Sequence, residues 1–357
     1  MEPSRDAILA ALEQVIDPEL QRPVTELDMV RDVAVDDGVV ALTIVLTVAG
    51  CPLRQSFEEQ VEGALANVPG VRGAKLSFAV MTPEERQALT SKLRGGAPAD
   101  DAVIRLNRDT RVIAIASGKG GVGKSTLTAN LAVAFSGLGR RTGILDADVY
   151  GHSIPHILGI HQKPVAVDDL IVPPVKDGLK LMSIGFFLDE NAPVMWRGPM
   201  LHRALEQFLT DVHWGDLDVL VVDMPPGTGD VSISLGQLLP RAEVVVVTTP
   251  QRLAQDVASR AASMARKTNM RLLGVVENMT GDVFGFGGGE ALAAQLDVPL
   301  LGTVPLDPLL REQGDLGEPV VAAHPESASA EAIVAIAEAI DARRESGSIV
   351  KALPLVG

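Results

Sequence analysis

Cysteine is almost absent: the 357 residues hold one, Cys51. A single thiol excludes an intrachain disulfide and fits a reducing compartment, so a cytoplasmic protein is expected. Aromatic residues make up only 3%, so the core has to be aliphatic, and a 46% hydrophobic composition supplies it. Basic charge is also short, with 31 Lys and Arg against 46 Asp and Glu and a net charge of −15. Nucleic acid and anionic lipid both call for a basic face, so neither nucleic acid nor a membrane is an expected partner. Long apolar runs are missing too. The longest, Val39–Ala49, is interrupted by Thr43 and Thr47 and is too short to span a bilayer. Met1–Ala10 carries no charged-then-apolar leader, so no secretory signal is expected. Internal repeats are lacking as well.

Glycine, by contrast, is concentrated in one place. The run Gly118-Lys119-Gly120-Gly121-Val122-Gly123-Lys124-Ser125-Thr126 follows the apolar stretch Val112–Ala116. It precedes a helical pattern with Leu127, Leu131, Ala134 and Leu138 on one face. The glycines therefore lie between a buried strand and a helix N-terminus. There, unpaired N–H groups and the helix dipole favour a phosphate, and glycine lets backbone approach it closely. The spacing is that of a P-loop, with Lys124 on the β- and γ-phosphates and Ser125 on Mg²⁺. Gly118, Gly120 and Gly123 also spell a dinucleotide fingerprint, with Asp146 as its ribose acid. That reading of an oxidoreductase leaves Lys124-Ser125 unexplained.

Before this run the chain reads as a helix over 4–16, a hairpin of strands 30–35 and 39–48 around Asp36-Asp37-Gly38, a helix to about Asn67 and a strand near 74–81. A helix over 83–93 and the small, proline-bearing stretch 95–110 follow, and the latter reads as a linker. The expected domains are thus an α+β unit over 1–94 and a second over 111–345, with 346–357 as a tail. From Arg111 onward, strands near 112–116, 142–146, 180–184, 218–223, 243–248, 272–276 and 300–304 alternate with helical patterns. Continuous Val/Ile/Leu strands imply a mainly parallel sheet between helical layers, a three-layer α/β P-loop NTPase fold. Ligands of such sheets bind at the carboxyl ends of strands.

Two further motifs stand at such ends. Asp146 and Asp148 close the second strand of this domain; beside a Mg-triphosphate, one carboxylate holds a metal-bound water and the other orients the attacking water. Without the P-loop the pair would serve equally well as loop caps. Asp223 ends an all-apolar run and reads as the Mg²⁺-holding Walker B carboxylate. The Pro225–Gly229 loop after it offers the Gly227 N–H to the γ-phosphate and can change shape when that phosphate leaves.

The doubled lysine, Lys119 and Lys124, resembles the deviant Walker A motif of the MinD/ParA/nitrogenase-iron-protein class. Leu145–Gly151, Met195–Pro199, Asp223–Asp230 and Val275–Met279 resemble strings of the Mrp (ApbC) family of iron–sulfur cluster carrier ATPases. Residues 1–90, with Asp17-Pro18-Glu19 and Gly50-Cys51-Pro52, resemble the SufT-like domain that many of its members carry. The resemblance implies a Mg²⁺-dependent ATPase working as a homodimer, with iron–sulfur apoproteins or assembly factors as partners. It implies that Lys119 reaches the nucleotide of the partner subunit, that Asp148 orients the hydrolytic water, and that Asn278 reads the adenine edge. A ParA- or MinD-like positioning or scaffold ATPase without a cluster is the alternative.

One departure concerns the cargo. Where the family carries Cys-x-x-Cys, this chain reads Thr280–Gly289, with Asp282 as the single charged side chain and no cysteine. Clusters are usually held by four thiolates, so any cluster is expected to be labile and to use Cys51. A helix start lowers a thiol pKa, which makes Cys51 reactive; a buried, inert cysteine is the other reading. His152 and His156 read as polar residues beside a switch loop.

Overall fold

The computed structural model describes residues 3–47, 54–93, 106–107, 109–149, 151–188 and 198–343. Cys51, most of the expected linker, Met195–Arg197 and the tail lie outside these residues. In chain order the elements are α1 (Arg5–Leu12), β1 (Val30–Asp36), β2 (Val39–Leu46), α2 (Arg54–Ala66), β3 (Gly73–Val80) and α3 (Pro83–Leu93). They continue with β4 (Arg111–Ser117), α4 (Lys124–Gly137), β5 (Thr142–Asp146), α5 (Ile154–Ile157), β6 (Val165–Val167), β7 (Leu170–Val172), β8 (Val175–Lys176), β9 (Leu179–Ser183) and α6 (Gly198–Thr210). The last are β10 (Val219–Asp223), α7 (Asp230–Leu238), β11 (Glu243–Thr248), α8 (Arg252–Lys267), β12 (Arg271–Thr280), α9 (Gly288–Leu296), β13 (Leu300–Pro305), α10 (Pro308–Leu316), α11 (Val320–Ala323) and α12 (Ala328–Asp341).

The chain falls into two compact units. One comprises residues up to Val103 together with Pro164–Val175 and Asp211–His213; the other comprises the remainder. In the first, β2 pairs antiparallel with β1 and parallel with β3. The β1–β2 turn uses Asp37 at φ 46° and Gly38 at φ 77°, the left-handed pair that a tight hairpin needs. Ile8, Leu12, Val40, Ile44, Phe57, Val61 and Leu65 form the core, and Val167 and Val172 of the β6–β7 hairpin join it. That hairpin comes from within 111–345, the stretch expected to form the P-loop domain alone. Its turn uses Asp168, at φ 53°, and its buried Val167 and Val172 belong to the first unit's core.

The second unit is built on an eight-stranded sheet, ordered β13-β12-β11-β4-β10-β5-β9-β8. From β13 to β9 every neighbouring pair is parallel. Every side chain of β5, β9 and β10 is buried, as strands covered on both faces require. Helix α4 packs with α5, α11 and α12, while α6, α7, α8 and α9 follow one another as neighbours. The strand expected over 272–276 runs on to Thr280. Its polar end stays in the sheet because each side chain finds a partner: the Glu277 carboxylate accepts from the Gly287 and Gly288 N–H groups, and Thr280 Oγ1 donates to the Val304 carbonyl.

Candidate functional site

The P-loop lies between β4 and α4, where the sequence places it. Lys124, though charged, is only 6% exposed. Its Nζ lies 2.7 Å from Asp223 Oδ2 and 3.3 Å from Asp148 Oδ2, and it donates to Ser125 Oγ at 3.3 Å. Ser125 Oγ donates to the same Asp223 oxygen at 2.6 Å. Thus Lys124, Ser125, Asp148 and Asp223, read from three separate motifs, form one contact set. Parallel pairing explains why: β10 lies between β4 and β5, with Asp223 level with Ile115 and Asp146. Strand ends in register bring residues distant in sequence to one edge.

Asp146 takes a different position from Asp148. It is fully buried, accepts from Ser183 Oγ at 2.9 Å and from the Asp148 N–H at 3.3 Å, and lies level with Ser183 on β9. Asp148, beyond the strand, accepts from the Gly151 N–H at 3.1 Å and faces Lys124. Burial raises the pKa of Asp146 well above the ordinary carboxylate value, and the charge of Asp223 adds to this; Ser183 and Lys124 oppose it. Burial also raises Asp223, against the lowering effects of Lys124, Ser125 and Thr128.

Two residues of this network went unread in the sequence. Thr128 Oγ1 donates to Asp223 Oδ1 at 2.8 Å and to the Lys124 carbonyl at 2.9 Å. Its signal was its place four residues after Lys124, one helical turn on. Ser183 needed the strand register, which sequence periodicity does not supply.

The loop itself borders a cavity of about 340 Å³ with Ser117, Lys119, Gly120, Gly121, Gly123, Ser125, Thr126, Asp148, Gly151 and Pro226 on its wall. Lys119 is exposed there, and its carbonyl accepts from Ser117 Oγ at 3.0 Å. The glycines serve different ends. A Cβ on Gly118 would come within 2.2 Å of the Val257 backbone, so helix α8, rather than a phosphate, demands that glycine. Gly123 has φ 79°, and a Cβ there would lie 2.3 Å from Asn278 Nδ2. Gly120 and Gly121 have open space around them.

Two expected roles meet other contacts. Asn278, expected in a loop after its strand, stands within β12 and is 3% exposed; its Nδ2 donates to the Val122 carbonyl of the P-loop at 2.9 Å. The Gly227 N–H donates to the Ser117 carbonyl at 2.8 Å, so here it is engaged by β4 rather than directed at the loop's cavity.

Oxygen donors dominate the site: one hydroxyl from Ser125 and the carboxylates of Asp146, Asp148 and Asp223, with Lys124 as the cation among them. Three carboxylates against one ammonium leave room for divalent charge, and hard oxygen donors with few protein ligands suit Mg²⁺. Among the described residues, no group of three His, Cys, Asp or Glu is arranged to enclose a metal by itself. An iron–sulfur cluster fits the 280–289 segment poorly. Gly281 and Gly285 exchange backbone hydrogen bonds at 3.1 and 2.7 Å, and the turn between them exposes Val283 and Phe284, with Phe286 exposed just after it.

A P-loop whose lysine, hydroxyl and strand-end aspartates converge in this way agrees with the comparison to known families. Residues 108–341 match the family model of the NUBPL iron-transfer P-loop NTPase, and residues 5–77 match that of an iron-sulfur cluster assembly protein. This chain belongs to the NUBPL iron-transfer P-loop NTPase family. Among its relatives, the "Iron-sulfur cluster carrier protein" of Mycobacterium tuberculosis (strain H37Rv) is 50% identical over 95% of this chain and 93% of that one. The protein of that name from Synechocystis is 43% identical over 97% and 99%. Among solved structures, the nucleotide-binding protein of Archaeoglobus fulgidus in complex with ADP is 38% identical, with a TM-score of 0.51 over 58% of this chain and 86% of that one. The septum site-determining protein MinD of Pyrococcus horikoshii, complexed with Mg-ADP, is 26% identical, with a TM-score of 0.51 over 65% and 96%. The family and these neighbours make the chain a P-loop ATPase of the ParA/MinD class, with that class's mostly parallel sheet and a small N-terminal domain. No helix among the described residues is long and apolar enough to cross a membrane.

Proposed function

We propose that the chain is a Mg²⁺-dependent, homodimeric ATPase switch of the cytoplasm that carries iron–sulfur clusters to apoproteins. The observation that carries the ATPase mechanism is the seat of Lys124, between Asp223 and Asp148 and beside Ser125. Lys124 binds the β- and γ-phosphates, leaving its carboxylate partners as nucleotide enters. The backbone of Gly118–Thr126 cradles the phosphates at the N-terminus of α4. Ser125, Asp146 and Asp223 would hold Mg²⁺, which neutralises phosphate charge when bound. Asp148 orients the attacking water. Gly227, held by the Ser117 carbonyl in this structure, is released to the γ-phosphate, and the exchange of that one hydrogen bond is the switch. Lys119, exposed at the cavity, reaches the nucleotide of a second copy. Asn278 ties β12 to the P-loop through Val122, and the adenine contact proposed for it needs that bond to open.

The names of the relatives support cluster carriage, and the 5–77 match supports a place in cluster assembly. With the family's cysteine pair missing, the protein's thiolate is Cys51, one per subunit, and outside thiols have to complete the ligand shell. Anaerobic reconstitution followed by iron and sulfide counting tests this. Wild type should take up well under one cluster per dimer. Cys51→Ser should hold none and still hydrolyse ATP. A stable, stoichiometric cluster in Cys51→Ser would refute the ligand assignment, and no cluster in wild type under any anaerobic condition would remove the carrier role while keeping the ATPase.

A further inference from the structure

An apolar recess of the second unit lies away from the nucleotide site. A cavity of about 510 Å³ opens beside the C-terminal half of α4, walled by Val133 and Leu138, by Leu158 and Ile160, and by Val321 and Val334 of α11 and α12. One end is closed by Lys176, whose Nζ donates to the Leu158 carbonyl at 2.7 Å and the Gly317 carbonyl at 3.3 Å. Asp177, exposed, stands on its rim. No residue of this wall takes part in the P-loop network. An open aliphatic recess of this size gains from apolar cover.

The chain supplies a segment of matching chemistry at a matching place. Arg140, just past α4, forms a two-pronged ion pair with Asp341, the last residue of α12, at 3.2 and 2.7 Å. The chain therefore leaves α12 beside the end of α4 that lines the cavity. Val334 lies seven residues before Asp341, roughly 10 Å back along the helix. Residues 342–348 can span up to about 23 Å. Next comes Ile349-Val350-Lys351-Ala352-Leu353-Pro354-Leu355-Val356, in which seven of eight residues are apolar and the eighth is a lysine. In an otherwise acidic chain this lysine complements Asp177.

We propose that the cavity between α4, α11 and α12 is the docking site for the chain's own C-terminal segment, residues 349–356. Leu353 and Leu355 enter the aliphatic recess, and Lys351 pairs with Asp177 at its rim.

Cysteine cross-linking in the full chain tests the assignment. In a Cys51→Ser background, Ser136→Cys on the cavity wall is combined with Leu353→Cys and oxidised with diamide. A disulfide needs its two Cβ atoms about 3.8 Å apart. A docked segment has a high effective concentration at its site, so this pair should close at least about tenfold faster than a control that joins Leu353→Cys to Asp256→Cys on α8. The product should run as a monomer on a denaturing gel. Equal rates for the two pairs would overturn the proposal. Disulfide-linked dimers as the main product would overturn it too, by making the occupant a second copy's segment. A second readout uses no cysteine: Leu353→Asp with Leu355→Asp in the full chain should raise the emission of anilinonaphthalene sulfonate severalfold, and Val334→Asp should cancel that rise. Unchanged dye emission in the double variant would show that the recess was never covered.

Discussion

Each compact unit holds a pair of carboxylates wholly or partly out of water, and their surroundings differ in kind. In the first unit Asp17 and Glu19 flank Pro18. Asp17 Oδ1 accepts from the Glu19 and Leu20 N–H groups, both at 2.8 Å. Burial raises the Asp17 pKa, and burial followed by the charge of Asp17 pushes Glu19 up to about 7. Among the described residues neither has a basic partner; the Asp17 carboxylate ties a turn to itself. In the second unit Asp146 and Asp223 have an ammonium, two hydroxyls from α4 and a third from β9 around them. A buried charge without a cation shifts its pKa and serves the backbone. A buried charge that shares a cation with a phosphate-binding loop is set to exchange partners. Burial of acidic groups alone therefore does not mark a reactive site; the displaceable cation does.

The largest effect that can break this contrast is at Lys124. Lys124→Ala removes a charge-assisted phosphate contact, so ATP affinity should fall on the order of a hundredfold, about 3 kcal/mol, and hydrolysis should be lost. Isothermal titration and phosphate release check this; wild-type affinity in a folded variant would refute the site. Next is the pair of lysines. Lys119→Ala should bind ATP and fail to hydrolyse it, and mixing it with Asp148→Ala should restore part of the activity through mixed dimers with one complete site. Normal turnover by Lys119→Ala alone would end that role.

Two smaller effects sharpen the first unit's side. Val167 and Val172 are buried in its core though they come from the middle of the chain. Val167→Ala with Val172→Ala should cost roughly 1–3 kcal/mol and lower the first unit's unfolding transition while ATP hydrolysis persists. Equal loss of both would refute their place in that core. The smallest effect follows pH. Glu19 is raised in the folded state, so the folded chain holds its proton longer than the unfolded chain does. Its contribution is therefore fully present below the ordinary glutamate value and is lost as pH rises through about 7. Glu19→Gln should flatten the fall in melting temperature between about pH 4.5 and 7, and a slope equal to wild type would remove the assignment.

Much of the second unit was legible beforehand. Val219–Val222 and Val244–Val247 read as unbroken Val and Leu because strands covered on both faces need no alternation, and every motif residue fell at a carboxyl end. Asn278 was misplaced because Glu277-Asn278-Met279-Thr280 is polar and reads as loop, while the fold gives each of the three polar side chains there a buried hydrogen bond. The short β6–β7 hairpin escaped notice because three-residue strands leave too few positions for a period to show.

By itself the sequence determined the P-loop, its lysine and hydroxyl, the strand-end aspartates and the alternation of strand and helix, since all of these are local patterns set by backbone geometry. Only the tertiary structure decided that β10 inserts between β4 and β5 and so sets Asp223 against Lys124 and Ser125. It also decided that Ser183 and Thr128 complete their hydrogen bonds, and that Gly118 is required by helix α8. Those contacts depend on strand order and register, which arise from packing among segments far apart in the chain and leave no local trace in any one of them.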